Sequence, residues 1–183
     1  MPTQVPARPD LDAMFRHDLG AASVIESEPR KKPLLATLNG ALGLRIQAYL
    51  WHATAPYERE VGAHKIQVTL PGVPRNRRIR IPREPGRLVL FCGYASQFDT
   101  WILWDADLFM LPEGITHSRN LQVSVAALTD AVAHGVAVSA KKVRRTISGS
   151  VEASIVTCRR SCLVQAIEER FRLGVLRSVA GEH

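Results

Sequence analysis

No apolar run in this sequence approaches the length of a bilayer span. The opening stretch "MPTQVPARPDLD" has no hydrophobic signal core, so export is not indicated. The expectation is a cytoplasmic protein that makes no contact with membrane. Cysteine is scarce too: Cys92, Cys158 and Cys162 are an odd set with no disulfide-framework spacing. Cys158 and Cys162 form a C-x3-C pair without a second ligand pair nearby, which argues against structural zinc. They read instead as small apolar residues of a reduced protein. His52, His64, His117 and His134 are scattered with no ligand spacing. A glycine-rich phosphate loop, a G-x-S-x-G elbow, an H-E-x-x-H helix and internal repeats are all missing.

Acidic residues are also in short supply. Seventeen Asp and Glu face 24 Lys and Arg, leaving a formal charge of +7 and a pI near 9.8. That balance favours nucleic acid or another polyanion as partner, without specifying a fold. At 183 residues, 46% of them hydrophobic, the chain is long enough to bury a real core.

The positive charge is concentrated. In "HKIQVTLPGVPRNRRIRIPREPGR", His64 to Arg87, an apolar strand ends in a Pro-Gly turn and opens into six arginines, with Glu84 the single carboxylate. A second basic run, "KKVRRT", starts at Lys141.

Periodicity sets the coarse architecture. Leu11, Met14, Phe15 and Leu19 recur at helical spacing up to Gly20, and Leu34, Leu35, Leu38 and Leu42 do so up to Gly43. Beyond Leu44 the period changes to two. "LRIQAYLWHAT" alternates and reads as a strand, "KIQVTL" alternates as a half-buried strand with a polar face, and "RLVLFCGYA" is a nearly continuous apolar run. "DTWILWDADLF" follows after a short turn, which predicts a hairpin. "SVAALTDAVAHG" predicts a helix capped by Ser124 and ended by Gly135. "SVEASIVTC" predicts a last strand, and "SCLVQAIEERFRLGV" a closing helix with Ser161 as cap and a Glu168–Arg172 pair. The prediction is an α+β fold: a mainly antiparallel sheet of about five strands, helices packed at one face and an N-terminal helical segment. Residues 1–43 would form an N-terminal extension with helices, and 44–183 the core domain.

"YLWHAT", "KIQVTLPG", "GYASQFDTWILWDADL" and "SRNLQVSVAAL", in this order, resemble the methylase-associated domain family of bacterial restriction–modification loci. The likeness runs from Leu44 to Val138. It implies a DNA-directed role in restriction–modification or phage defence, with a DNA methyltransferase or another defence protein as partner.

The residues leave three readings open. In the first, the chain binds DNA, with modified DNA included among its targets, and needs no cofactor. Lys65, Arg75, Arg77, Arg78, Arg80, Lys141, Lys142, Arg144 and Arg145 would meet phosphates, while Gln67 or Asn76 would reach base edges. Trp51, Trp101 and Trp104 would stack on an extruded base if they lined a pocket, although core packing is their commoner role. A homodimer is an arrangement many DNA readers use. The second reading is a Mg-dependent endonuclease of the PD-(D/E)XK type. Its carboxylates would be Asp105 and Asp107, which share a strand face, with Glu58 or Glu60 added and Asp99 at the far strand end. Asp99 and Asp105 are separated by about 20 Å of extended chain, too far to hold one ion directly. Thr69 stands where that fold wants a lysine. The third reading is a non-enzymatic protein-interaction subunit whose basic face meets an acidic partner.

Overall fold

The computed structural model describes residues 9–40, 42–54, 63–68, 78–109, 115–116, 119–145 and 149–180. The chain begins with α1 (Leu11–Leu19), β1 (Ser23–Ile25) and β2 (Leu34–Leu38), then β3 (Arg45–His52), β4 (Ala63–Val68) and the short β5 (Arg78–Ile79). A hairpin of β6 (Leu88–Ala95) and β7 (Thr100–Asp105) runs into α2 (Ala106–Phe109). There follow β8 (Ile115–Thr116), β9 (Arg119–Ser124), α3 (Val125–His134), a second hairpin of β10 (Val136–Arg145) and β11 (Gly149–Arg159), and α4 (Leu163–Val179).

Seven strands form the main sheet in the order β1-β2-β3-β6-β7-β11-β10. All neighbours are antiparallel except β3 and β6. The fold is therefore α+β and mainly antiparallel, with more strands than the alternation predicts. A parallel pair cannot be joined by a tight turn and needs a crossover. Here residues 53–87 make that crossover, and they carry β4 across one face of the sheet. There β4 pairs with β9 as a separate two-stranded ribbon.

The central strands are buried on both sides, which explains their continuous apolar sequence. On one face Leu90, Cys92, Trp101, Leu103, Val156 and Cys158 pack against α1 and α4, through Phe15, Leu19, Leu163 and Ile167. On the other, Phe91, Ala95, Ile102, Trp104 and Ile155 pack against α3 and the ribbon, through Leu128, Ile66 and Leu121. Each large side chain fully withdrawn from water contributes about 1.5–3 kcal/mol. Helices thus cover both faces, where the sequence reading placed them on one. The ribbon approaches so closely that a Cβ at Gly93 in β6 would stand 2.8 Å from both Ile66 and Trp104.

Three local expectations differ from the structure. The stretch before Gly43 is strand β2, not helix: Leu34, Ala36 and Leu38 are buried alternately, and pairing with β1 and β3 overrides the i, i+4 leucine spacing. Residues 11–38 therefore supply α1, β1 and β2 to the same sheet and core. At the other end α4 starts at Leu163 after a short 3-10 turn, without a side-chain cap from Ser161. On its surface Arg172 bonds Glu169 at 2.8 and 2.6 Å rather than Glu168. The expected caps at Ser124 and Gly135 are present. No helix among the described residues is long and apolar enough to cross a membrane.

Candidate nucleic-acid interface

The β4–β9 ribbon divides its side chains by the period of two. His64, Ile66, Val68, Leu121 and Val123 are buried beneath it. Lys65, Gln67, Asn120 and Gln122 stand on the opposite side, where the register sets Lys65 across from Gln122 and Gln67 across from Asn120. Lys141, on the ribbon-facing side of β10, donates from Nζ to Gln122 Oε1 at 2.5 Å. Neither β4 nor β9 contains a carboxylate. A two-stranded ribbon fits the width of the DNA major groove, and side-chain amides can bond adenine N6 and N7 together. Flanking lysines would supply phosphate contacts.

The sequence reading names Lys65, Gln67 and Lys141 for this role. It names neither Asn120 nor Gln122, because more than fifty residues separate β4 from β9. Lys141 and Lys142 are neighbours in sequence on opposite faces of β10. Lys142 stands across from Glu152, on the α4 side. Arg144 and Arg145 close the same strand, paired with Ser150 and Gly149. Arg75, Asn76 and Arg77 lie outside the described residues. Arg78 belongs to β5, paired with Thr116, and Arg80 is exposed. The last two arginines of the segment are engaged within the fold. Arg83 pairs with Asp107. Arg87, only 7% exposed, pairs with Glu26 and, at 2.6 Å, with Glu84.

Beside the ribbon runs a groove of about 520 Å³. It exists because β2 begins at Leu34, opposite Ala48, so that Tyr49–His52 continue past it. Gln67, Trp51 and Thr54 line it, as do Lys31, Lys32 and Arg30. Of the three tryptophans, Trp101 and Trp104 are wholly buried core residues on opposite faces of the sheet. Trp51 alone is half-buried and reaches a cavity.

The carboxylates singled out as catalytic candidates fall into two places. Asp99 sits in the β6–β7 turn with a left-handed backbone, φ 49°. It accepts from the Tyr94 hydroxyl at 2.5 Å and lies 3.7 Å from Arg160. Burial and the Asp99 carboxylate push the Tyr94 hydroxyl up to about 12. Asp105 and Asp107 are together at the opposite end of β7. Asp105 Oδ1 accepts from the backbone N–H of Asp107 at 2.9 Å, and its Oδ2 from Arg170 at 3.1 Å and Arg177 at 2.7 Å. Burial holds the Arg170 guanidinium below its ordinary range, against the attraction of Asp105. Arg83 and Arg177, the latter at 3.9 Å, face Asp107. Guanidinium groups thus pair with both carboxylates. Among the described residues no group of three His, Cys, Asp or Glu side chains is arranged to hold a metal ion, and Glu58 and Glu60 lie outside those residues.

The family model Methylase-associated X1 matches residues 44–167, about two thirds of the chain. The chain belongs to the Methylase-associated X1 family. The match extends beyond the likeness seen in the sequence motifs and contains the ribbon, Trp51, Asp99, Asp105 and Asp107. Lys31 and Lys32 of the groove, and Arg170 and Arg177, lie outside it. The family's association with methylases points to a restriction–modification setting. No curated protein and no solved structure matches the chain.

Proposed function

We propose that this Methylase-associated X1 protein binds duplex DNA in a restriction–modification system, reading it with the outer face of the β4–β9 ribbon. One observation carries the reading: Lys65 faces Gln122 and Gln67 faces Asn120 across two strands that hold no carboxylate, and Lys141 bonds Gln122 from the neighbouring β10. Amides supply donor–acceptor pairs for base edges, and lysines supply affinity that depends on salt. Arg75, Arg77, Arg78 and Arg80 follow β4 in the chain and add phosphate contacts, with Asn76 among them. The reading requires no metal. A DNA methyltransferase or another defence protein is the partner the family association favours, and methylated DNA is a target to be compared with unmodified DNA.

The test is binding to labelled duplexes, unmodified and methylated, over a salt series with and without magnesium. Tight binding with a steep salt slope and intact strands is the expected result. Lys65→Ala with Lys141→Ala should reduce the slope by about 2, and Arg77, Arg78 and Arg80 changed together to alanine by about 3. Magnesium-dependent strand breakage would replace the reader with a nuclease. Absence of DNA binding would leave the protein-interaction subunit.

A further inference from the structure

The groove beside the ribbon has a composition that the ribbon reading does not use. Its base is apolar, made by Leu34, Ala48 and Leu50. One wall is the Trp51 ring, which stacks on Tyr49 with centroids 6.1 Å apart and planes at 19°, and meets Phe91 edge-on. Tyr49 therefore backs the indole on one side and holds it against the sheet. The hydrogen-bonding side chains of Thr54 and Gln67 line the same groove.

The rest of the lining is charged, and its charges sort into two sets. Asp10 and Asp12 are already bonded: Asp12 Oδ2 accepts from Arg16 Nε at 2.7 Å and from the Arg30 backbone N–H at 3.0 Å, and Asp10 accepts from Arg30 Nε at 3.2 Å. Arg16 and Arg30 therefore balance the two carboxylates. Lys31 and Lys32, both exposed, add two further positive charges to the lining. A rigidly backed aromatic ring, polar side chains and two lysines lining one groove suit a ligand with a flat ring at one end and an anion at the other.

We infer that this groove is a nucleotide pocket that takes one nucleotide extruded from the DNA, its base on Trp51 and Gln67 and its phosphate on Lys31 and Lys32. The inference deepens the DNA-reading proposal and depends on it for its biological meaning. Its physical test does not require a duplex. Gln67 belongs to both the ribbon and the groove, so the two sites would be contiguous, as required of a reader that holds the helix while inspecting one base.

Trp101 and Trp104 are wholly buried, so a small solute in the groove quenches Trp51 selectively. The four deoxynucleoside monophosphates and their methylated forms are titrated against the tryptophan fluorescence of the full chain, beside deoxyribose 5-phosphate as a base-free control. Saturable quenching by at least one nucleotide and none by the sugar phosphate is expected. Lys31→Ala with Lys32→Ala should weaken it about tenfold or more. Trp51→Leu, followed by equilibrium dialysis because the reporter is gone, should weaken nucleotide binding by about ten- to a hundredfold. Duplex binding without nucleotide quenching, or dialysis unchanged in Trp51→Leu, overturns the pocket and leaves the ribbon reading intact. Nucleotide binding without duplex binding keeps the pocket and removes the ribbon reading. Quenching that Lys31→Ala with Lys32→Ala leaves unchanged removes the assigned phosphate site and overturns the proposal as stated.

Discussion

The two faces of the main sheet use positive charge in opposite ways. On the side of α1 and α4, and around the ends of β7, arginines terminate on carboxylates: Arg160 on Asp18, Arg170 and Arg177 on Asp105, Arg16 on Asp12. On the ribbon side Lys65, Gln67, Asn120 and Gln122 stand on strands without an acid. The formal charge of +7 is thus a poor guide to the surface a partner would meet. Several arginines hold helices to the sheet, whereas Lys65 and Lys141 at the ribbon and Lys31 and Lys32 at the groove are lysines. Buried guanidinium pairs suit the first task because the planar fork bonds two groups at once, and lysine suits the second as a mobile point charge for phosphate.

The sharpest break between the two faces should come at Asp105, which is 5% exposed and shared by Arg170 and Arg177. Asp105→Ala leaves a guanidinium buried without its partner. It should lower unfolding free energy by about 3–5 kcal/mol, read from urea denaturation. A loss below about 1 kcal/mol would mean that the cluster is solvated and structurally dispensable.

On the ribbon the effects should invert, large on binding and small on folding. Gln67→Ala and Asn120→Ala should each reduce discrimination between preferred and random duplexes by about 1–3 kcal/mol. Both residues are exposed, so urea midpoints should hold within about 0.5 kcal/mol of wild type. Equal losses on every duplex would assign these amides to backbone contact.

Acid should act through the helical face. Burial pushes the Asp18 carboxyl up, but hydrogen bonds from Arg160, Trp101 and His17 outweigh it and hold the group below its ordinary range. Glu26 is held low by Arg87 and Thr37. Groups depressed in the folded state add stability above their unfolded values and lose it as pH falls through the folded ones. Stability should therefore decline from about pH 4 downward. Asp18→Asn should cost about 1–2 kcal/mol at pH 7 and flatten that acid slope. An unchanged slope would move the acid sensitivity elsewhere.

The smallest effect separates neighbours. Lys141→Ala should reduce the salt slope of DNA binding by about 0.9, and Lys142→Ala should leave it unchanged, because strand alternation turns Lys142 to the α4 side. Equal effects would mean that DNA wraps the edge of β10 instead of lying on one face.

Where local signals were strong, the sequence was a good guide. Alternation marked β3 and β4, continuous apolar runs marked β6 and β7, and Ser124 with Gly135 bounded α3. The leucines from Leu34 misled because helical spacing and a buried strand share i, i+4 positions, and only the partners β1 and β3 decide between them. In sequence β10 shows only a basic run, since an edge strand with exposed lysines carries little alternation. The three tryptophans were indistinguishable in sequence, and burial separates Trp51 from the other two.

By itself the sequence determined the α+β composition, the basic character and the family, because composition, period and motif order are properties of the chain alone. Tertiary structure decided which charges are available. The crossover from β3 to β6 lays β4 on the sheet, pairing with β9 gathers amides more than fifty residues apart, and the helices bring arginines onto Asp18 and Asp105. A charge reveals its partner only in three dimensions, since Coulomb attraction and hydrogen bonding follow distance in space and not separation along the chain.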